Sequence, residues 1–378
     1  MMPIHIEHIS EILSTNQDAA WLPWAVQYFF YISLAYGASV LFCLAVWHPK
    51  RFSRRLGFSS AVVMVSCAIV AALALSADLH QPGRAWHFYA YLTPWSWMSR
   101  GALLLPAFVG LVIITVGLWC RHMLMAGGAD NQFKGLKGVV YRLICCGKWT
   151  VSYRLIKIMA FITLMSGMSI AFYTGAEIYA VKSRELWHSL WYPSVLFISG
   201  LTGALGAVIM VYGLLTSFKS LATSEKYILN KLLLGITAGS ILSIIFVFFW
   251  IMDSSQADIL THTPWVNQLI AVVILLLLPC VAAPLAIIGH GRVVCMVAAV
   301  LSLAANVGIR WFSMMELQLL PKYDAGLFSY VLPWGSNGIG GIIGMFGLVL
   351  AIVLILSEWG MSEERFGLMP SVREHCRG

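Results

Sequence analysis

Between residues 76 and 102 the chain reads SADLHQPGRAWHFYAYLTPWSWMSRGA. A run of about twenty apolar residues ends at Asp78, and another begins after Arg100. Into the gap fall His80, His87, Arg84, Trp86, Trp95, Trp97, Tyr89 and Tyr91. Carboxylate, imidazole and phenol can hydrogen-bond a polar ring and take up its protons, with acidities tuned by partial burial.

The elements flanking this stretch must be membrane spans. Of 378 residues, 60% are hydrophobic and 11% charged, whereas a soluble domain carries about a quarter charged residues. At about 20 apolar residues per span, nine windows qualify: about 24–47, 56–77, 101–120, 156–177, 191–215, 232–252, 266–289, 293–314 and 338–357. The expected fold is an all-α polytopic membrane protein with two helix bundles. The first four spans (24–180) would form one bundle, residues 191–357 the second, and 358–378 a cytoplasmic tail.

The net charge of +8 follows topology. With residues 1–23 outside, the inner segments 48–55, 121–157, 216–231, 290–292 and the tail hold 18 of the 24 Lys and Arg. The positive-inside rule then puts the N-terminus outside and the C-terminus inside. The basic character suits anionic lipid of the bilayer and excludes a nucleic-acid surface. The N-terminal stretch has no basic region ahead of an apolar core and does not read as a cleaved signal peptide. The cysteines at 43, 67, 120, 145, 146, 280, 295 and 376 lack metal-ligand spacing and read as small apolar residues.

Helical rise places polar residues from distant positions at one depth. Span 2 starts inside near Leu56, so Asp78 lies about 33 Å along it. On span 4, Tyr173 lies about 27 Å and Glu177 about 33 Å from the inner start. Gln27, Tyr28 and Tyr31 occupy the first two turns of span 1, and Arg310 lies about 26 Å along span 8. With His80, Arg84 and Arg100 these residues share the outer edge. Each also has a plainer reading. The arginines suit phosphate or carboxylate pairing, Trp86, Trp95 and Trp97 suit interface anchors, and Tyr28 and Tyr173 suit interface aromatics.

Three chemistries compete for this edge. A haem between spans needs histidines at mid-depth, and all ten histidines lie at span ends or in loops. A transporter or proton-conducting module needs charged or broken-helix sites near the midplane, and the span centres are almost uncharged. A quinol suits the edge better, because its headgroup sits near the surface with its tail in lipid. Oxidation releases two electrons and two protons. With no haem and no iron–sulfur cluster expected in this chain, the electrons must pass directly to a redox centre in an outer partner.

The stretch ADLHQPGRAWHFYAYLTPWSWMSRGALLLPAF resembles the NrfD/PsrC (polysulfide reductase-like) family of membrane subunits. Asp78-Leu79 with Arg84, Ser96-Trp97-Met98-Ser99, Tyr173-Thr174-Gly175, Trp187 and Pro193 match its motifs. WLPWAVQYFF at 21–30, TPWSWM at 93–98, and IRW with PKYDAGLFSYVLP at 309–333 resemble its tetrathionate reductase branch. The family's His/Asn pair on span 1 is absent here. The resemblance implies a multi-pass subunit of the bacterial inner membrane that oxidises menaquinol or ubiquinol between the outer ends of spans 1 to 4. It implies a periplasmic ferredoxin-like iron–sulfur subunit and a molybdopterin catalytic subunit as partners. The oxidant would be tetrathionate, or polysulfide, nitrite, sulfite or dimethyl sulfoxide in related systems. Under this reading Asp78, His80 and Glu177 accept protons. Gln27, Tyr31 and Tyr173 bind the quinone ring, and Arg84 orients a carboxylate. No metal site is expected.

Overall fold

The computed structural model describes residues 21–79, 81–126, 139, 142–147, 149–216, 223–254, 260, 265–289, 291–320 and 330–361. Nine helices among them are long and apolar enough to cross a membrane, so this is a multi-pass membrane protein. They are α1 (Pro23–Trp47), α2 (Arg54–Asp78), α3 (Trp97–Ala126), α4 (Tyr153–Tyr179), α5 (Trp191–Leu215), α6 (Thr223–Met252), α7 (Trp265–Gly289), α8 (Arg292–Trp311) and α9 (Ile339–Met361). Helices satisfy their own backbone polar groups, the condition for crossing hydrocarbon.

Local chemistry sets several ends. Pro23 opens α1, where its missing N–H costs nothing. Ser53 caps α2, its hydroxyl accepting from the Leu56 N–H at 3.2 Å. Helix α6 starts nine residues before the apolar window, at Thr223 rather than 232. The extra turns carry Glu225, Lys226 and Lys231, good helix formers that reach water; Lys231 lies over the Tyr227 ring at 5.3 Å. Helix α3 starts at Trp97, four residues early, with the Ser99 hydroxyl accepting from the Thr93 N–H at 3.1 Å. After Trp311, α8 widens into a π turn (Phe312–Glu316) and a short 3-10 turn (Leu317–Leu319). There Gln318 pairs twice with the Trp21 backbone, at 3.1 and 2.9 Å, and covers the start of α1. Residues 321–329 lie outside the described residues.

Helix α1 is the centre of the molecule, buried almost throughout and packed against α2, α4, α5 and α8. Helices α3 and α4 pair, α7 packs on α6 and α8, and α9 lies against α2, α1 and α5. The outer faces of the other helices present apolar rows such as Ile113, Ile114, Phe172, Phe248 and Leu285, as lipid contact requires. We call the end at which α1 begins and α2 ends the upper end.

At the opposite end Arg121, in the last turns of α3, pins the segment 144–149. Its guanidinium donates to the carbonyls of Ile144, Cys146, Gly147 and Trp149 at 2.7 to 3.0 Å and stacks on the Trp149 ring at 4.0 Å. This fixed loop turns Cys146 outward, so it is exposed rather than buried; Cys43, Cys67 and Cys295 are buried.

Candidate functional site at the upper end of the bundle

The first turns of α1 place three polar side chains in one sector. At roughly 100° per residue, Tyr31 lies about 40° and Tyr28 about 100° around the helix from Gln27. All three are buried, with 4%, 1% and 1% of their surface exposed respectively. The Gln27 amide nitrogen reaches back to the Pro23 carbonyl at 3.4 Å. Its Oε1, the Tyr28 hydroxyl and the Tyr31 hydroxyl have no hydrogen-bond partner among the described residues. A buried polar atom left unpaired costs about 1–3 kcal/mol, so three together on adjoining turns are what a polar ligand would complete.

Tyr28 faces α4. There Tyr173 and Glu177, one turn apart, lie within hydrogen-bonding reach of each other, and Tyr28 lies within electrostatic reach of both. Tyr173 is buried and Glu177 half-buried. The Tyr173 phenol packs so closely over Gly101 of α3 that a Cβ there would overlap it. Glycine at 101 therefore permits the close approach of α3 and α4 that holds this phenol in place. Tyr31 points elsewhere, towards Cys67 of α2 and edge-on to Phe346 of α9, 5.6 Å between ring centroids.

The structure thus sets Gln27 and Tyr31 on adjoining turns of α1, with Tyr31 turned to α2 and α9, and pairs Tyr173 with Glu177 on α4. It adds Tyr28, which the sequence reading sets among interface aromatics. A hint is present in the spacing Gln27-Tyr28-Tyr31 inside an apolar window, three polar groups confined to one helical sector. Asp78, the last residue of α2, sits at the rim and accepts a hydrogen bond from the Leu22 N–H at 3.3 Å, tying the end of α2 to the start of α1. A carboxylate at a helix N-terminus complements the helix dipole. Arg84 is exposed on a one-turn 3-10 segment (Pro82–Arg84), and its guanidinium makes no ion pair among the described residues. His80 lies outside the described residues.

The surrounding rim is held firmly. Arg100 donates from Nε to the Pro94 carbonyl at 2.8 Å and lies over the Trp97 ring at 4.5 Å. Trp187 stacks on Trp21 at 5.1 Å and donates to the Ser313 carbonyl at 2.7 Å. Arg184 donates to the carbonyls of Leu317 and Leu320, at 3.3 and 2.7 Å, and burial holds its pKa below the usual guanidinium value. In contrast, Trp86, Tyr89, Tyr91, Trp95 and Met98 are each more than half exposed.

A separate cleft of about 630 Å³ opens on another face of α4, walled by Trp97, Phe172, Gly175, Pro193, Phe197 and Phe246. Its wall is almost wholly apolar, suited to hydrocarbon. The polar face with Tyr173 and Glu177 turns away from it.

A family model described as "Polysulphide reductase, NrfD" matches residues 11–321. A tetrathionate reductase subunit of Salmonella typhimurium is 33% identical over 355 residues, covering 93% of this chain and 95% of that protein. The match spans α1 to α4, which carry the polar residues of the upper-end site, and the chain belongs to the NrfD family.

Proposed function

We propose that this chain is the quinol-oxidising membrane anchor of a multi-subunit reductase complex in the bacterial inner membrane, supplying electrons for tetrathionate reduction. The reading rests above all on the three unpartnered buried groups Gln27 Oε1, Tyr28 OH and Tyr31 OH beside the Tyr173–Glu177 pair. Menaquinol carries two ring hydroxyls, which need acceptors and a proton path. The Gln27 amide oxygen accepts from one, the phenols pair with the ring oxygens, and Glu177 takes protons at the half-exposed edge.

The balance is simple. One menaquinol becomes one menaquinone, losing two protons and two electrons. The protons pass to Glu177 and on to water, with Asp78 as a further acceptor at the rim. The electrons pass one at a time to an iron–sulfur centre of a periplasmic ferredoxin-like partner, and then to a molybdopterin subunit where tetrathionate is reduced. The ring enters from lipid, and apolar clefts between helices accommodate the isoprenoid tail. The exposed aromatic face at 86–98 suits the partner, because solvent-facing rings in such density mark contact surfaces.

The test uses membranes carrying this chain and its partner subunits, with a reduced menaquinone analogue and tetrathionate under anaerobic conditions. Oxidation that disappears when this chain is deleted supports the reading. Oxidation that persists without the chain, with no quinone bound to the purified chain, refutes it.

A further inference from the structure

Arg310, near the end of α8, is 1% exposed among apolar helices. All three of its nitrogens are engaged. Nε donates to the Phe29 carbonyl of α1 at 2.9 Å, and Nη2 to the Leu196 carbonyl of α5 at 3.0 Å. Nη1 donates to the Ser199 hydroxyl at 3.2 Å and to the Asn306 side-chain oxygen. Asn306 in turn donates to the Ser33 hydroxyl of α1 at 3.3 Å. Gly200 leaves room for the guanidinium, since a Cβ there would press on Tyr36 OH at 2.6 Å and on Arg310 Nη2 at 3.2 Å.

Buried charges in proteins are ordinarily paired. Here the partners are carbonyls, a hydroxyl and an amide, which solvate the cation without neutralising it. The titratable groups facing it are the phenols of Tyr36 on α1 and Tyr192 on α5. No carboxylate among the described residues contacts the guanidinium; Glu316 accepts from Trp311 Nε1 at 3.1 Å, and Asp253 from the Ser189 hydroxyl at 3.2 Å. A bridge between three helices needs hydrogen bonds but no net charge, so the retained charge calls for a use. Its bond to Phe29 falls inside the turn that carries Gln27, Tyr28 and Tyr31.

The geometry points to Arg310 as the positioning residue of the quinol site, an unneutralised cation that fixes the Gln27–Tyr31 turn and favours the anionic forms of the bound ring. This rests on the quinol reading above. Quinol first loses a proton to give its monoanion, which gives one electron to the partner's iron–sulfur centre. The neutral semiquinone loses the second proton, and the semiquinone anion gives the second electron. Both anions gain from a fixed positive charge in low dielectric. Arginine keeps that charge throughout, because it does not titrate in the working range. The other described ionisable groups at this end are Glu177 and Tyr173 of α4, Tyr28 and Tyr31 of α1, Cys67 of α2, Asp78 at the α2 end, and Arg84, Arg100 and Arg184 at the rim. Among the described cations of the rim, Arg84 and Arg100 are exposed, Arg100 tied to Pro94, and Arg184 is held by the Leu317 and Leu320 carbonyls.

The test is the pH profile of quinol oxidation by the assembled complex in membranes. Asn306→Asp sets a carboxylate against Nη1, neutralising the charge while Arg310 and its clamp on Phe29 stay. Less positive potential makes the quinol harder to deprotonate, so the acid limb should move to higher pH by about one unit. Turnover at neutral pH should fall about tenfold and recover in alkali. Arg310→Lys, which keeps the charge but loses the fork, should raise KM and leave the limb in place. Arg310→Gln should move it as Asn306→Asp does. An acid limb unmoved in Asn306→Asp overturns the proposal. If that variant does not assemble, Ser199→Asp delivers the same neutralisation from α5 and decides. Glu177→Gln is run alongside. An impaired Glu177→Gln with an unmoved Asn306→Asp removes only the role of Arg310. A Glu177→Gln complex as active as the parent, with no bound quinone in either, removes the quinol site itself.

Discussion

Two buried polar clusters grow from the same helix, and they are opposites. Around Arg310, at the junction of α1, α5 and α8, every guanidinium nitrogen has a partner, and the neighbouring Ser33, Ser199 and Asn306 are engaged as well. Elsewhere around the same stretch of α1, Gln27, Tyr28 and Tyr31 each hold an atom unpaired among the described residues, at comparable burial. Membrane interiors penalise both situations: a buried arginine within a span must have its charge solvated by the protein, and orphaned groups cannot turn to water. The difference teaches which cluster is scaffold and which is site. The guanidinium has no donor nitrogen left over, although the Tyr192 hydroxyl beside it is unpaired among the described residues. An unsaturated cluster beside a partly buried carboxylate is organised for something that arrives from outside the chain.

Breaking the site side should have the largest effect. Glu177→Gln keeps shape and hydrogen bonding but cannot take a proton in the same way; quinol turnover is expected to fall about a hundredfold. Complex assembly and bound quinone content, measured by gel filtration and extraction, should stay intact. Tyr28→Phe removes one unpartnered hydroxyl. Quinol KM should rise about tenfold, the loss of one bond to the ring, while the melting temperature of the purified chain should hold or rise. A fall in melting temperature would show that this hydroxyl was already satisfied within the fold.

The scaffold side should respond the other way. Ser199→Ala removes one of three acceptors of Arg310 Nη1, the Asn306 carbonyl and side-chain oxygens remaining, and should cost about 1 kcal/mol of stability, with KM for quinol changed less than about twofold. Urea titration in detergent would measure the first and steady-state oxidation the second. Asp78→Asn gives the smallest expected effect, because the amide oxygen can still accept from the Leu22 N–H. Assembly should be unaffected, and turnover should fall severalfold if the rim carboxylate relays protons. Unchanged turnover would leave Asp78 as a tie between α2 and α1.

A pair of dipeptides shows where pattern reading stops. Trp86-His87 and Trp187-His188 look alike in sequence, each ahead of a proline at the same end of the bundle. In the fold Trp86 is 58% exposed, while Trp187 is 5% exposed and donates to Ser313. Trp21 and the π turn after α8 make the difference, and both come from far along the chain. Likewise Tyr28 and Tyr31 differ by three positions yet face different helices, one towards Glu177 and the other towards Cys67 and Phe346.

What the sequence determined by itself is the part governed by composition along one dimension. Apolar length alone specifies nine spans, to within a few residues except where polar helix formers carry α6 onward. Helical rise alone places Gln27, Tyr173 and Glu177 at a common depth, and the motifs around Asp78 and Trp97 identify the family. Depth is a sum over consecutive residues, so it is legible without neighbours. Azimuth and partnership are not. Whether Arg310 meets a carboxylate or carbonyls, and whether a buried tyrosine finds an acceptor, depends on how helices rotate against one another. Close contacts such as Gly101 with Tyr173 and Gly200 with Tyr36 set that rotation. Only the packed structure brings those surfaces together, because in lipid it is shape and hydrogen bonding between helices, rather than burial of apolar surface, that chooses which faces meet.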